Sequence, residues 1–148
     1  MKIVIDSNII FSSLISGKTF YMDFLNTHEA YAPDFLFEEI SEYERLIVEK
    51  TPLQDDFYDY AQEIFKYLKI IPKIAIRPET WKKALNLCED VDEKDTPFLA
   101  LSLEMNLPLI TRDKKLYKGL LSKGIDHIIL FEDFLEQLQG NRKGAGKL

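Results

Sequence analysis

Lys2-Ile3-Val4-Ile5-Asp6-Ser7-Asn8-Ile9-Ile10 opens the chain: four residues suited to a buried strand, three polar residues, and then an apolar run that restarts at once. β-branched residues at positions 3–5 favour a strand. Asp, Ser and Asn are all preferred at helix starts, so a helix is predicted to follow directly. A strand passing straight into a helix is half of a βαβ unit, and the rest of the chain repeats the alternation. Further strands are predicted at residues 29–32, 70–74, 108–111 and 127–130. Helices are predicted over 9–26 with a break at Gly17, 34–49, 55–68, 79–89 and 96–105, and after Phe131. Phe57, Tyr60, Ala61, Ile64 and Leu68 recur at helical spacing and are assigned to the core. The expected fold is three-layer α/β, a mainly parallel five-stranded sheet flanked by helices.

The 148 residues suit one hydrophobic core rather than two. We expect a single domain over residues 1–139 and a flexible Gly- and Lys-rich tail over 140–148. With 46% hydrophobic and 30% charged residues the composition is that of an ordinary globular chain. The uncharged stretch 7–17 is far shorter than the roughly 20 apolar residues of a membrane span. Asp6 also interrupts the apolar start before a signal-peptide core could form, so the expected location is cytoplasmic, without membrane association. One cysteine, Cys88, excludes an internal disulfide and a cysteine-built zinc cage, and it reads as a small buried hydrophobe. His28 and His127 have no partner at ligand spacing and read as structural or exposed.

Four acids stand where such a fold gathers its loops. Asp6 follows the first strand, Asp113 follows Leu109-Ile110-Thr111, Asp95 opens a helix, and Glu39 lies on one. Side chains at the carboxyl ends of parallel strands share one crevice, so residues distant in sequence can meet there. Gathered carboxylates repel, and the remedies are a shared proton or a hard cation. Each acid has a structural alternative. Asp6 and Asp95 occupy helix starts, where a carboxylate caps amide groups and meets the helix dipole. For Asp95 the following helix decides more, because Phe98-Leu99-Ala100-Leu101 is apolar nearly all round and should be buried, aiming its start inward. Asp92 reads as solvated. On the helix over 34–49, Leu36, Ile40, Tyr43 and Ile47 form the apolar stripe; Glu39 borders it, while Glu38, Glu42 and Glu49 face away. Thr111 could offer its hydroxyl to a carboxylate, a water or a phosphate, and Arg112 is expected to face solvent. Lys114, Lys115, Lys118 and Lys123 either contact phosphate or form a solvated helix face. The net charge of −6 argues against broad nonspecific nucleic-acid affinity, though bound divalent ions would cancel the acids locally.

Ile3-Val4-Ile5-Asp6-Ser7-Asn8-Ile9-Ile10, Glu38-Glu39-Ile40, Asp95-Thr96-Pro97-Phe98-Leu99-Ala100-Leu101 and Leu109-Ile110-Thr111-Arg112-Asp113, in that order, resemble the successive motifs of the PIN-domain family. The resemblance spans nearly the whole chain. It implies an acidic pocket of Asp6, Glu39, Asp95 and Asp113 binding Mg²⁺ or Mn²⁺, with Asn8 and Thr111 as polar helpers. It also implies a metal-dependent ribonuclease that hydrolyses RNA phosphodiester bonds by metal-activated water. Asp6, Asp95 and Asp113 would hold the metal, with Glu39 a further ligand or the group that orients the water. The family includes the toxin halves of toxin-antitoxin pairs, processing nucleases and inactive copies, so an antitoxin is an expected partner of a toxin-like member. A homodimer is expected from the aromatic residues Phe20, Tyr21, Phe24, Phe57 and Tyr58. Two other readings stand beside this one. A noncatalytic RNA- or protein-binding module would use the acids only as caps. A phosphatase of the haloacid-dehalogenase kind would need a second Asp where this chain has Asn8.

Overall fold

A computed structural model describes residues 1–146, with side chains described through residue 140. Strand β1 (Lys2–Ile5) leads into helices α1 (Ser7–Ser16) and α2 (Thr19–Thr27). There follow β2 (Glu29–Pro33), α3 (Phe35–Lys50), α4 (Phe57–Lys66), β3 (Leu68–Ile71), α5 (Pro78–Cys88), α6 (Thr96–Met105), β4 (Leu109–Thr111), α7 (Lys114–Ser122), β5 (Ile128–Leu130) and α8 (Phe131–Gly146). The strand order is β3-β2-β1-β4-β5, and every neighbouring pair is parallel. That is the expected five-stranded sheet, with no antiparallel member.

The topology fixes the layers. From β1 the chain steps outward to β2 and β3, then crosses back to β4 and on to β5. Because parallel crossovers are right-handed, helices of the outward steps and of the return steps cover opposite faces. On one face α1 packs on α3 and α4; on the other α5 packs on α6 and α7. Both faces of the central strands are therefore apolar: Ile3, Val4, Ile5, Leu109 and Ile110 are all fully buried. The order reverses between β1 and β4, and the carboxyl ends of these strands are where such folds place a crevice.

Local signals explain the boundaries. Gly17 ends α1 in the left-handed conformation (φ 65°), and its N–H donates to the Ser13 carbonyl. A Cβ there would lie 2.6 Å from Leu53 Cγ, so the residue is needed for space as well as for its backbone. Helix α6 is buried from Thr96 through Ser102, as its all-round apolar sequence suggests. Cys88 is fully buried.

Three expectations are corrected. β3 covers Leu68–Ile71 rather than 70–74, because Pro72 supplies no N–H to extend the ladder and the chain turns at Lys73–Ala75. The preceding helix stops at Lys66 rather than at residue 68, because Leu68 pairs with Ala30 as the start of β3. Residues 114–122 form α7, which was absent from the predicted helices; Leu116 and Leu120 anchor one face while Lys114, Lys115 and Lys118 are exposed. Gly119 lies against Val91, where its lack of a side chain allows close packing. Of the five aromatic residues that suggested a dimer, Tyr21, Phe24 and Phe57 are buried within the chain, and only Phe20 and Tyr58 are exposed. The tail expected from residue 140 falls on the end of α8 and on residues 147–148, which lie outside the described residues.

Candidate metal centre

Asp6 ends β1 at the switch point, only 2% exposed. Its backbone N–H donates to the Ile110 carbonyl, which fixes the end of β1 against β4. Oδ1 accepts from the Ser7 N–H at 2.8 Å, and Oδ2 accepts from Thr111 Oγ1 at 2.6 Å and from Asn8 Nδ2 at 3.4 Å. Burial nevertheless pushes its pKa up to about 6, against the pull of those bonds and with a further push from the charge of Asp113.

Thr111 is fully buried and its hydroxyl is used to capacity. It donates to Asp6 and accepts from Asn8 Nδ2 at 3.3 Å and from the Asp113 N–H at 3.0 Å. Of the three partners open to Thr111 from sequence, a carboxylate is the one its hydroxyl meets. Asn8 belongs to the same hydrogen-bonded group, and its Oδ1 accepts from the Arg112 N–H at 3.3 Å. Asp113 caps α7 through Oδ1, which accepts from the Leu116 N–H at 3.0 Å, so the capping alternative does hold for one of its oxygens.

Asp95 behaves differently. It stands at the start of α6 but makes no capping bond, and its Oδ2 is buried without a hydrogen-bond partner. Burial first, then the charges of Asp6, Asp92, Asp113 and Glu39, push its pKa up to about 8. Glu39 reaches in from α3, and its Oε2 accepts from Ser7 Oγ at 3.3 Å while Oε1 is buried and unpartnered. Its pKa rises to about 7, chiefly through burial and the charge of Asp6, opposed by the Ser7 bond and by Lys94. Glu38, one residue earlier, is exposed.

The fold thus brings Asp6, Glu39, Asp95 and Asp113 into one electrostatic neighbourhood. Asp92 joins them. It is exposed and its Oδ1 accepts from the Lys94 N–H, yet its charge is felt at both Asp95 and Glu39. Ser7 is a further contributor that the sequence reading did not single out; its place between Asp6 and Asn8 was the available signal. Arg112 is exposed but not free: its guanidinium donates to Ser12 Oγ at 3.1 Å and to Tyr21 OH at 2.8 Å, and sits 4.8 Å from the Phe131 ring centre. Lys123 is pinned by Asp90 and the Leu87 carbonyl. His28 and His127 lie at the opposite, amino edge of the sheet, each just before or beside a strand start.

Among the described residues, no three His, Cys, Asp or Glu side chains already form a group that could hold a metal ion. The donor chemistry fits a hard cation all the same. Two buried carboxylate oxygens, Glu39 Oε1 and Asp95 Oδ2, lack any partner, and oxygen-only donors suit Mg²⁺ or Mn²⁺. An unpartnered buried carboxylate oxygen is costly, and a proton or a cation is what relieves it.

A sequence model described as "PIN domain" matches residues 4–132. Among solved structures, PAE2754 from Pyrobaculum aerophilum superposes with a TM-score of 0.65 at 12% identity, covering 95% of this chain and 99% of its own. VapBC2 from Rickettsia felis, solved bound to a DNA fragment from their promoter, gives a TM-score of 0.56 at 15% identity, covering 88% and 97%. These likenesses show a shared fold. Among curated proteins, none matches by sequence.

Proposed function

We propose, on the premise that this chain belongs to the PIN-domain family, that it is a Mg²⁺- or Mn²⁺-dependent endoribonuclease whose active site is the acidic group at the β1–β4 switch point. The observation that carries the proposal is the behaviour of Asp95 and Glu39. Both hold an unpartnered carboxylate oxygen below the surface, and both have their proton affinity raised by burial and by the charges of Asp6 and Asp92. Acids kept for capping would spend those oxygens on backbone amides, as Asp113 does with one of its own. Perturbed carboxylates converging in a crevice are the expected mark of a functional site.

In this reading Asp6, Asp95 and Asp113 hold the cation, and Glu39 is a further ligand or orients the attacking water. A divalent ion so held supplies Lewis acidity and lowers the pKa of a coordinated water. The chain's own contribution is positional. Thr111 and Asn8 fix the Asp6 carboxylate, Ser7 fixes one oxygen of Glu39, and burial of α6 holds Asp95 at the crevice. The predicted products carry 5′-phosphate and 3′-hydroxyl ends.

The noncatalytic alternative draws on the lack of a preformed metal group among the described residues. It makes a different prediction: such a module shows no Mn²⁺-dependent thermal shift, whereas a ligand at 100 times its dissociation constant stabilises by about 2.7 kcal/mol. The phosphatase alternative finds no support at Asn8, whose amide is engaged by Asp6, Thr111 and the Arg112 N–H. A toxin role with an antitoxin partner remains part of the proposal, as does a homodimer, and a cytoplasmic setting goes with both. Exposed Phe37, Leu46 and Tyr58 offer the apolar surface that such a partner would cover. Among the described residues no helix is long and apolar enough to cross a membrane. The test is incubation of the full chain with single-stranded RNA in Mn²⁺ or EDTA, with end-group analysis of the products. Mn²⁺-dependent internal cleavage supports the proposal, and intact RNA in both buffers rejects it.

A further inference from the structure

A cleft of about 600 Å³ is lined by residues that adjoin two of the acids in sequence. Lys94, Thr96 and Pro97 line the cleft and flank Asp95, and Glu38 lines it and precedes Glu39. Its floor is apolar, with Phe35, Ile76 and the indole of Trp81. Lys73 lies at its edge with its ammonium 4.2 Å from the Trp81 ring centre. The volume falls within the range of small-ligand sites.

We propose that this cleft is a nucleobase subsite, taking one unpaired nucleotide of a single-stranded RNA whose phosphodiester lies at the carboxylates, with the base stacked against Trp81. The identity of the strand rests on the nuclease reading. Three features favour a base. A chain of net charge −6 lacks the basic excess that gives broad phosphate affinity, which raises the share that stacking contributes. The ammonium of Lys73 marks an electron-rich ring face; an exposed cation held there is displaced readily by a stacking base and is then placed to meet a phosphate. Asp34, Glu38 and Glu93 stand around the cleft as acceptors for the exocyclic amino groups of bases, and their charge would repel an acidic peptide.

Trp81 is the only tryptophan, so fluorescence excited at the red edge, where tyrosine does not absorb, reports on this cleft alone. The full chain, and its Asp95→Asn variant with one repelling carboxylate removed, are titrated in EDTA with a single-stranded oligoribonucleotide of roughly 6–8 nucleotides. Saturable quenching is expected. In Mn²⁺, Trp81→Ala should raise KM for the same RNA about tenfold with kcat changed less than about twofold, the order that one base stack supplies. Trp81→Phe, which retains a flat ring, should restore most of the loss, separating stacking from a folding defect. Fluorescence indifferent to RNA, or an unchanged KM in Trp81→Ala, overturns the subsite while leaving a cleaving enzyme intact. Quenching in a parent that cleaves nothing leaves the subsite standing and removes the nuclease reading instead.

Discussion

Replacing Asp95 by Asn in metal-free buffer should stabilise the protein, and the gain should grow with pH. Asp95 makes no capping bond and leaves one oxygen unpartnered, so the amide forfeits no hydrogen bond seen in the structure. What it removes is a carboxyl whose pKa climbs from 3.8 to about 8 on folding. For a raised carboxylate the native state binds more protons than the unfolded one between those two values, so stability falls as pH rises through that window. At about 1.4 kcal/mol per pKa unit, the parent would lose up to about 4 kcal/mol relative to the variant between pH 5 and pH 8. Asp6 and Glu39 share the same repulsion, and a proton on any one relieves the others, which brings the expected gap to roughly 1–3 kcal/mol. For a chain of this size that is a melting-temperature difference of about 3–10 °C at pH 8, narrowing steadily towards pH 5 and closing only below the unfolded value of 3.8. Urea or thermal unfolding of parent and variant in EDTA, from pH 5 to pH 9, measures it. A variant equal to or less stable than the parent at pH 8, with the same pH slope, would refute the claim that these carboxylates are crowded.

The pKa values of about 6, 7 and 8 at Asp6, Glu39 and Asp95 mean that protons compete with metal, so stabilisation by Mn²⁺ should be slight near pH 5 and grow through pH 8 in thermal-shift assays. Thr111→Val keeps the shape of a buried strand residue but strips Asp6 of its 2.6 Å donor; a loss of about 1–3 kcal/mol is expected in urea unfolding. Gly17→Ala should cost about 1–2 kcal/mol from its left-handed backbone alone, with the contact to Leu53 adding to it, and Leu53→Ala should recover part of the added loss in a double-mutant cycle.

Most of the architecture was legible because strand and helix signals fall on distinct residues. Lys2–Ile5 and Leu109–Thr111 are short apolar runs closed by polar side chains, and their parallel pairing follows from the intervening helices. The family named from the ordered motifs is the one the sequence model matches. The boundary between α4 and β3 was not legible, since Leu68 satisfies both a helical and a strand period, and only its pairing with Ala30 decides. Helical spacing placed Glu39 at the edge of the core, which is where its half-buried carboxylate lies. What sequence could not supply was the company each acid keeps. Asp92 looked solvated and is exposed, yet its charge reaches the group through a turn whose shape no pattern announces. Arg112 was expected to face solvent and is exposed, but its tie to Ser12 on α1 and Tyr21 on α2 joins residues about a hundred positions apart, which no local pattern announces. The aromatic residues read as dimer surface misled because a helix pattern tells which residues share a face, not whether α8 or α4 will cover it. Phe24 is held by Phe131 and Phe134 of α8, and Phe57 is buried at the start of α4.

The most direct test of the central claim is RNA cleavage with and without Mn²⁺ by the parent, Asp6→Asn and Asp95→Asn, each shown to be folded by its unfolding curve. Both substitutions preserve size and helix-start chemistry while deleting one charge. Mn²⁺-dependent cleavage by the parent and its loss by at least about a hundredfold in both variants, an effect of the size seen when a single transition-state contact is removed, is the predicted result. Variants that still cleave in Mn²⁺ at the parent's rate would show that these carboxylates do not hold the metal.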